Sequence, residues 1–487
     1  MTGWKNQNIS PIEASPEKTE DAVDGPVAPR ASSDAADFYR AKPVLDRRIH
    51  IMGVGNVGSF VAHALRGIPN APPVTLLFSH WEKLNKWNES SQRLTLVTDG
   101  DAEIHDGYDA EIAIPRIRFH GKEVGLNIAS QDLTEASSES QEQAPQALSG
   151  ESTEPINSLI ICSKAPFVLQ SLSAVKHRLH KDSVVLFMQN GIGTVEEVDR
   201  EIFPDPATRP HYMLGVNSHG MHNTPDDAFT TVHAGFGTIS LGLLPHERDR
   251  KADAPYEPVV KFQANPGEPP VYPDPPSELN PEYPTPATTN FHWTPNQRYL
   301  LRTLLRTPVL SAASFSPPDL LQMQLEKLAV NCVINPLTVL LDARNGSVLY
   351  NYALTRTLRL LLSEISLVIR SLPELQYIPN VSQRFDPGRL ESKVVGVARL
   401  TKDNISSMLA DVRSGRQTEI DYINGWIVKR GEELGLRCLC NYMMVQLVKG
   451  KANLVKLETS EGVPFVQGKR REGQLDIREG VAGKEKL

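Results

Sequence analysis

Cysteine is scarce in this chain of 487 residues: there are four, at positions 162, 332, 438 and 440. So few, so scattered, exclude a disulfide framework, and Cys438-x-Cys440 has no nearby histidine or second cysteine pair at zinc-site spacing. No metal site is expected, and the thiols are expected to be reduced, as in an intracellular protein. Long apolar runs are missing too. Nothing approaches the roughly 18 residues that a membrane span needs, so no membrane association is expected. Charge of one sign is in small excess, and a formal net charge of −7 gives no electrostatic reason to bind nucleic acid or an anionic membrane. The opening segment, MTGWKNQNISPIEASPEKTEDAVDG, lacks both the apolar stretch of a secretory signal and the Arg-rich, acid-poor composition of a transit peptide. Cytoplasm is the expected compartment, with the mitochondrion as the alternative.

What is present divides into ordered and polar stretches. The 40% of hydrophobic residues lies a little under the usual range for a globular chain, as a normal core diluted by polar segments would give. Residues 1–46 carry prolines and acids without apolar periodicity and are expected to be a disordered tail. A Ser/Glu/Gln tract at about 134–155 and a proline-dense run at about 246–294 are expected to be disordered inserts, and 459–487 a flexible tail. The inserts are either merely solvated or bind and regulate. Between them, residues 47–316 show short apolar strands alternating with helical patterns, at Ile49–Met52, Val74–Phe78, Ser158–Cys162, Val184–Met188, Met213–Asn217, Thr238–Gly242 and Val309–Ser314. That alternation predicts an α/β domain with a mostly parallel sheet. Over 317–458 apolar residues recur every three or four positions, which predicts an all-α C-terminal domain.

The first half carries Ile49-His50-Ile51-Met52-Gly53-Val54-Gly55-Asn56-Val57-Gly58, a strand followed by G-x-G-x-x-G and an amphipathic segment. In a dinucleotide site Gly53 permits the tight turn, Gly55 lets the backbone approach a pyrophosphate, and Gly58 lets helix and strand pack closely. The helix opening at Asn56 and Val57 offers unpaired N–H groups and partial positive charge to the phosphates. The loop alone is a weak signal; a strand before it, a helix after it and a second strand about twenty residues on supply the context. At the end of that second strand an NAD enzyme usually has an acid for the ribose 2′-hydroxyl. Here the chain reads Phe78-Ser79-His80-Trp81-Glu82-Lys83, and Ser79, His80 and Lys83 could meet a 2′-phosphate. NADP is favoured, while Glu82 keeps NAD open.

In the second half, Lys327, Asn331 and Asn335 fall at i, i+4 and i+8 among Leu328, Val330, Val333, Ile334 and Leu337. On a largely buried helix they form a polar stripe that must find partners. An internal polar network or a solvent-facing stripe would account for it, but one cation with two amides suits a bound anion bearing a carbonyl. Burial would lower the lysine pKa into the range of a general acid. Further on, Ser406 and Ser407 fall near a helix start, where hydroxyls and free N–H groups bind anions. Glu419 and Asp421 precede another helix, and on that ground alone either reads as a capping acid.

Five segments in this order resemble the ketopantoate reductase family: the glycine loop, Leu159-Ile-Ile-Cys-Ser-Lys164-Ala, Phe187-Met-Gln189-Asn190-Gly191-Ile-Gly193-Thr, KLAVNCVINPLT from Lys327, and NISSML…TEIDYINGW from Asn404. They span roughly residues 48–245 and 295–451. The resemblance implies a Rossmann domain followed by an α-helical domain and reduction of 2-dehydropantoate to pantoate by NADPH. It implies Lys327 as the general acid and Glu419 as the residue that orients it. Asn331 and Asn335 would hold the hydroxyl and carbonyl end of the substrate, Ser407 its carboxylate, and Asn190 and Lys164 would lie near the nicotinamide and ribose. The chain departs from the family where many members carry an arginine for the 2′-phosphate. A paralogue acting on another small branched 2-oxo acid is the near alternative. The distant one is a non-enzymatic relative in mitochondrial translation, which predicts loss of Lys327 or Glu419 and a basic presequence, neither of which is seen. A homodimer is left open.

Overall fold

The computed structural model describes residues 46–114, 116–119, 122–125, 152–224, 227–246 and 293–461. The expected tails and inserts fall almost wholly outside these residues.

Eight strands make the main sheet: β1 (Ile49–Met52), β2 (Val74–Phe78), β3 (Tyr108–Ile112), β4 (Ser158–Ile161), β5 (Val184–Phe187), β6 (His211–Asn217), β7 (Ile239–Leu243) and β8 (Ala312–Ser314). Their spatial order is β3-β2-β1-β4-β5-β6-β7-β8. Every neighbouring pair is parallel except β6 with β7. The chain direction across the sheet reverses between β1 and β4, and such a reversal opens a crevice beyond the carboxyl ends of the strands.

The sheet is covered on both faces, so its strands are apolar throughout and split their side chains by alternation. Ile49 and Ile51 of β1, Ile160 of β4 and Leu186 of β5 pack with Phe60 and Leu65 of α1 (Asn56–Arg66) and Leu300 and Leu304 of α5 (Pro295–Leu305). Met52, Leu159, Ile161, Val185 and Phe187 turn to the other face, against Val168 and Leu172 of α3 (Val168–Val175) and Val198 of α4 (Thr194–Glu201). Helix α2 (Trp81–Glu89) follows β2.

Three features differ from the sequence expectation. Strand β8 begins only at Ala312, because Pro308–Leu310 forms a 3₁₀ turn and Ser311 has a left-handed backbone (φ 44°). Strand β3 extends the sheet at one edge. A second, four-stranded sheet, ordered Gly220–Asn223, Thr230–Gly235, Leu94–Thr98 and Asp101–His105, packs against α1. Three of these strands, Tyr108–Ile112, Asp101–His105 and Gly220–Asn223, are polar and largely exposed or half-buried, so they lack the apolar runs that signalled the others, while Leu94–Thr98 alternates and buries Leu94 and Leu96.

From Pro317 the described chain is helical: α6 (Pro317–Leu341), α7 (Tyr352–Arg370), α8 (Pro387–Leu400), α9 (Ser407–Arg413), α10 (Asn424–Glu433) and α11 (Leu439–Glu461), with a short turn of helix at Val381–Arg384. The last helix runs past the expected boundary at 458. Helix α6 is buried on most sides, its Leu325, Leu328 and Val333 packing with Leu361 and Ile365 of α7, Val394 of α8, Ile427 of α10 and Val448 of α11. It also contains Pro336. Proline has no N–H to give the carbonyl four residues back, here that of Cys332. The Asn424 side chain supplies the missing donor at 2.8 Å, and its Nδ2 also donates to Asn441 Oδ1 at 3.0 Å. Asn441 in turn donates to Glu364 at 2.8 Å. A buried amide chain thus ties α6, α10, α11 and α7 together. Among the described residues no helix is long and apolar enough to cross a membrane.

Candidate active site

The glycine loop leaves β1 at the crevice. Gly53 has φ 89°, and a Cβ there would run into the backbone of Ser163, beyond β4. A Cβ on Gly58 would strike the Gly53 carbonyl, so that glycine lets α1 pack onto the loop. Gly55 is different: a Cβ on it would meet nothing within 4 Å. Its smallness serves nothing inside the protein and leaves room for a group outside. Helix α1 starts with no side-chain cap and no acid in its first turn, so its N–H groups and dipole are free for an anion. Val57 is partly exposed there, while Asn56 turns inward to donate to the Met221 carbonyl at 3.4 Å. These are the requirements of a bound pyrophosphate, and the residues fit one.

At the end of β2, Ser79 and His80 are exposed. Lys83 points the other way and donates to the Val54 carbonyl, bracing the glycine loop; burial lowers its pKa. Glu82 is paired with Lys86 at 2.7 Å.

Across the crevice, α6 brings Lys327 over the end of β5. Its Nζ donates to Asn190 Oδ1 at 2.8 Å and to the carbonyl of Asn217, the last residue of β6, at 2.5 Å. Asn190 Nδ2 donates to Glu419 Oε2 at 3.1 Å, and Glu419 Oε1 accepts from the Ala165 N–H at 3.1 Å. Asn190 therefore bridges the lysine and the acid, which form no direct ion pair among the described residues. Loss of hydration lowers the Lys327 pKa to about 8, partly opposed by the Glu419 charge. Burial raises the Glu419 pKa, opposed by its bonds from Ala165 and Asn190.

The turn that presents Asn190 is locked in place. Gly191 has φ 84°, and a Cβ on it would collide with the Tyr422 carbonyl, which also accepts from the Ile192 N–H at 2.9 Å. Gln189 donates to the carbonyls of Ile161 and Ser163 at 2.8 and 3.0 Å, joining the ends of β4 and β5. Asn331 lies on the rim of the same cleft with Gln189, Asn190, Val216, Gln324 and Lys327. Asn335, one turn further along α6, is buried. Ser407 is exposed in the first turn of α9, whose cap is Ser406, bonded to Leu409 N–H at 3.1 Å and within 2.7 Å of the Thr338 hydroxyl. Among the described residues Ser407 has no hydrogen bond to the Lys327 cluster.

Lys164 forms an ion pair with Asp411 of α9, and Arg416 meets the same carboxylate at 3.3 Å. Asp411 was not singled out from the sequence. Its signal was its spacing, four residues after Ser407 on the same helical face. The Asn217 carbonyl and the Ala165 N–H are backbone groups, which no residue type announces.

A Rossmann-type sheet facing a helical body, with a lysine in the cleft, is the build of a dinucleotide-dependent oxidoreductase. Two family patterns match the chain: ketopantoate reductase PanE/ApbA over residues 112–246 and ketopantoate reductase PanE/ApbA C terminal over residues 319–452. A Salmonella typhimurium protein named 2-dehydropantoate 2-reductase is 39% identical over 299 residues, covering 60% of this chain and 73% of that protein. The ketoisovalerate reductase BEA2 of Gibberella fujikuroi is 25% identical over 472 residues, covering 89% and 88%. Among solved structures, a PanE/ApbA family ketopantoate reductase from Ralstonia eutropha shares the fold, with a TM-score of 0.54, 16% identity and coverage of 84% of this chain and 99% of that one. The chain belongs to the ketopantoate reductase family.

Proposed function

We propose that this protein reduces 2-dehydropantoate to pantoate with NADPH, a step toward pantothenate and coenzyme A, and that Lys327 is its general acid. The observation that carries the reading is the Lys327–Asn190–Glu419 array at the carboxyl end of β5. An ammonium has three N–H donors. Asn190 and Asn217 take two, which leaves one for a substrate oxygen. The glycine loop and the start of α1 would hold the pyrophosphate of NADPH, whose nicotinamide would supply hydride to carbon 2. As charge gathers on the carbonyl oxygen, Lys327 gives it a proton, so the product is a 2-hydroxy acid and the lysine is left neutral. A pKa near 8 suits this task, because the lysine is still protonated at pH 7 and releases its proton at little cost. Glu419 holds Asn190 and supports the charged form of the lysine. Asn331, Asn335 and Ser407 are proposed as contacts of the substrate, and Ser79 and His80 as contacts of the 2′-phosphate. Lys83 serves by bracing the loop, and Lys164 by closing on Asp411 beside the cleft.

A second reading, reduction of ketoisovalerate, is favoured by the end-to-end likeness to a ketoisovalerate reductase. Both substrates are branched 2-oxo acids and use the same acid. The test is a panel of 2-oxo acids with NADPH and NADH, following nicotinamide absorbance. The highest kcat/KM on 2-dehydropantoate with NADPH is expected. A preference for ketoisovalerate would install the second reading, and no oxidation with any 2-oxo acid would sink both.

A further inference from the structure

One cluster of ligating side chains lies away from the cleft and has no part in the reaction. His63 is on α1; Glu103 and His105 are on the strand Asp101–His105 beside it. One nitrogen from each imidazole and a carboxylate oxygen of Glu103 lie within 4.8 Å of one another. The two rings are 4.2 Å apart at their centroids, and His105 Nε2 is 3.1 Å from Glu103 Oε1.

His63 is only 2% exposed, and its Nε2 faces the Glu103 carbonyl oxygen at 3.0 Å. A carbonyl only accepts, so the proton of the neutral ring is on Nε2. Nδ1 is then a buried lone pair, and it has no partner. A ring N–H held by a backbone carbonyl, opposite a free lone pair, is how proteins orient metal-binding imidazoles.

We propose that His63, Glu103 and His105 bind one divalent transition-metal ion of the zinc class, tying α1 to the neighbouring sheet. Two imidazoles and a carboxylate match the nitrogen and oxygen preference of zinc, with water in the fourth position. Hard ions such as magnesium take oxygen ligands almost exclusively and are not served. The side chains of Glu103 and His105 are 58% and 24% exposed, which gives the ion an entry path and the water a place. Tetrahedral zinc with bonds of about 2.1 Å separates its ligand atoms by about 3.4 Å. Closing the cluster therefore asks for up to about 1.4 Å of movement, available to the exposed Glu103 and the partly exposed His105. The metal would fix the end of α1 opposite its phosphate-facing start, so its effect is on stability and not on the hydride step.

The test is a titration of the purified, chelator-stripped full chain with Zn²⁺ alone by calorimetry, beside His105→Ala and Glu103→Gln. Glu103 is at the surface and His105 is partly exposed, and circular dichroism checks that each variant folds. The wild type is expected to bind one equivalent more than His105→Ala at micromolar or tighter affinity. Glu103→Gln should bind at least about tenfold more weakly. Zinc should raise the melting temperature of the wild type alone, and Co²⁺ should give the visible band of a four-coordinate site only where His105 is present. Equal stoichiometry and affinity in wild type and His105→Ala, or no zinc uptake at all, would overturn the proposal.

Discussion

The two halves of the cleft are made of different materials. On the sheet side the region proposed for the cofactor is backbone: a glycine turn, a helix start and the ends of strands. On the helical side the groups proposed to react are side chains, with Lys327 on α6 and Glu419 just ahead of α10. A backbone site is specified by what is missing, such as the Cβ of Gly55, and tolerates change wherever that space is kept. A side-chain site is specified by what is present and depends on the packing that aims it.

The sharpest way to separate the halves is Lys327→Ala. If the helical half supplies proton transfer and nothing else, the variant should lose about 10²- to 10⁴-fold in kcat. Its NADPH affinity, read by fluorescence titration, should stay within a factor of about three. A comparable loss of dinucleotide affinity would mean that the lysine belongs to both halves.

Gly55→Ala is the complementary change. Gly55 has an extended backbone (φ −109°) that alanine accepts, and a Cβ there meets no protein atom. Stability should therefore change by less than about 0.5 kcal/mol. NADPH affinity should fall at least about tenfold, because the methyl group takes the space of the pyrophosphate. Gly58→Ala, whose Cβ strikes the Gly53 carbonyl, should instead destabilise the fold by about 1–3 kcal/mol. Equal behaviour of the two variants in a melting and binding series would break the distinction.

Within the helical half, Asn424→Ala tests whether aiming the lysine rests on the proline repair in α6. Removing the amide leaves the Cys332 carbonyl buried and without its donor. A loss of about 1–3 kcal/mol in denaturant unfolding is expected, with the pH profile of the surviving activity unchanged. A shifted profile at unchanged stability would place Asn424 in the electrostatics of the site.

The same contrast governs what the sequence disclosed. The buried strands and the glycine loop were legible because burial on both faces demands continuous apolar residues and a pyrophosphate demands missing side chains. The Lys327 stripe was legible because polar residues at helical spacing in an apolar segment need an explanation. The polar strand Asp101–His105 was not, since it is largely exposed and offers no alternation. Nor was the ion pair of Lys164 with Asp411, which joins residues 247 positions apart. Glu419 was ambiguous alone, because an acid near a helix start is favoured by the dipole whatever else it does. Only the tertiary structure puts Asn190 between it and the lysine.

That bridge sets the smallest effect and the most specific one. With Lys327 as the proposed general acid the reaction consumes its proton, so kcat/KM should be level at neutral pH and fall as pH rises through about 8. The Glu419 carboxylate raises the lysine pKa against the larger effect of lost hydration. Glu419→Gln removes that negative charge and keeps an oxygen able to accept from Ala165 or Asn190. The lysine then loses its proton more readily, and the falling limb moves to lower pH by up to about one unit. A structural role for Glu419 would lower kcat and leave the limb where it was. An alkaline shift would contradict the sign of the coupling, and with it the claim that the two halves meet electrostatically through Asn190.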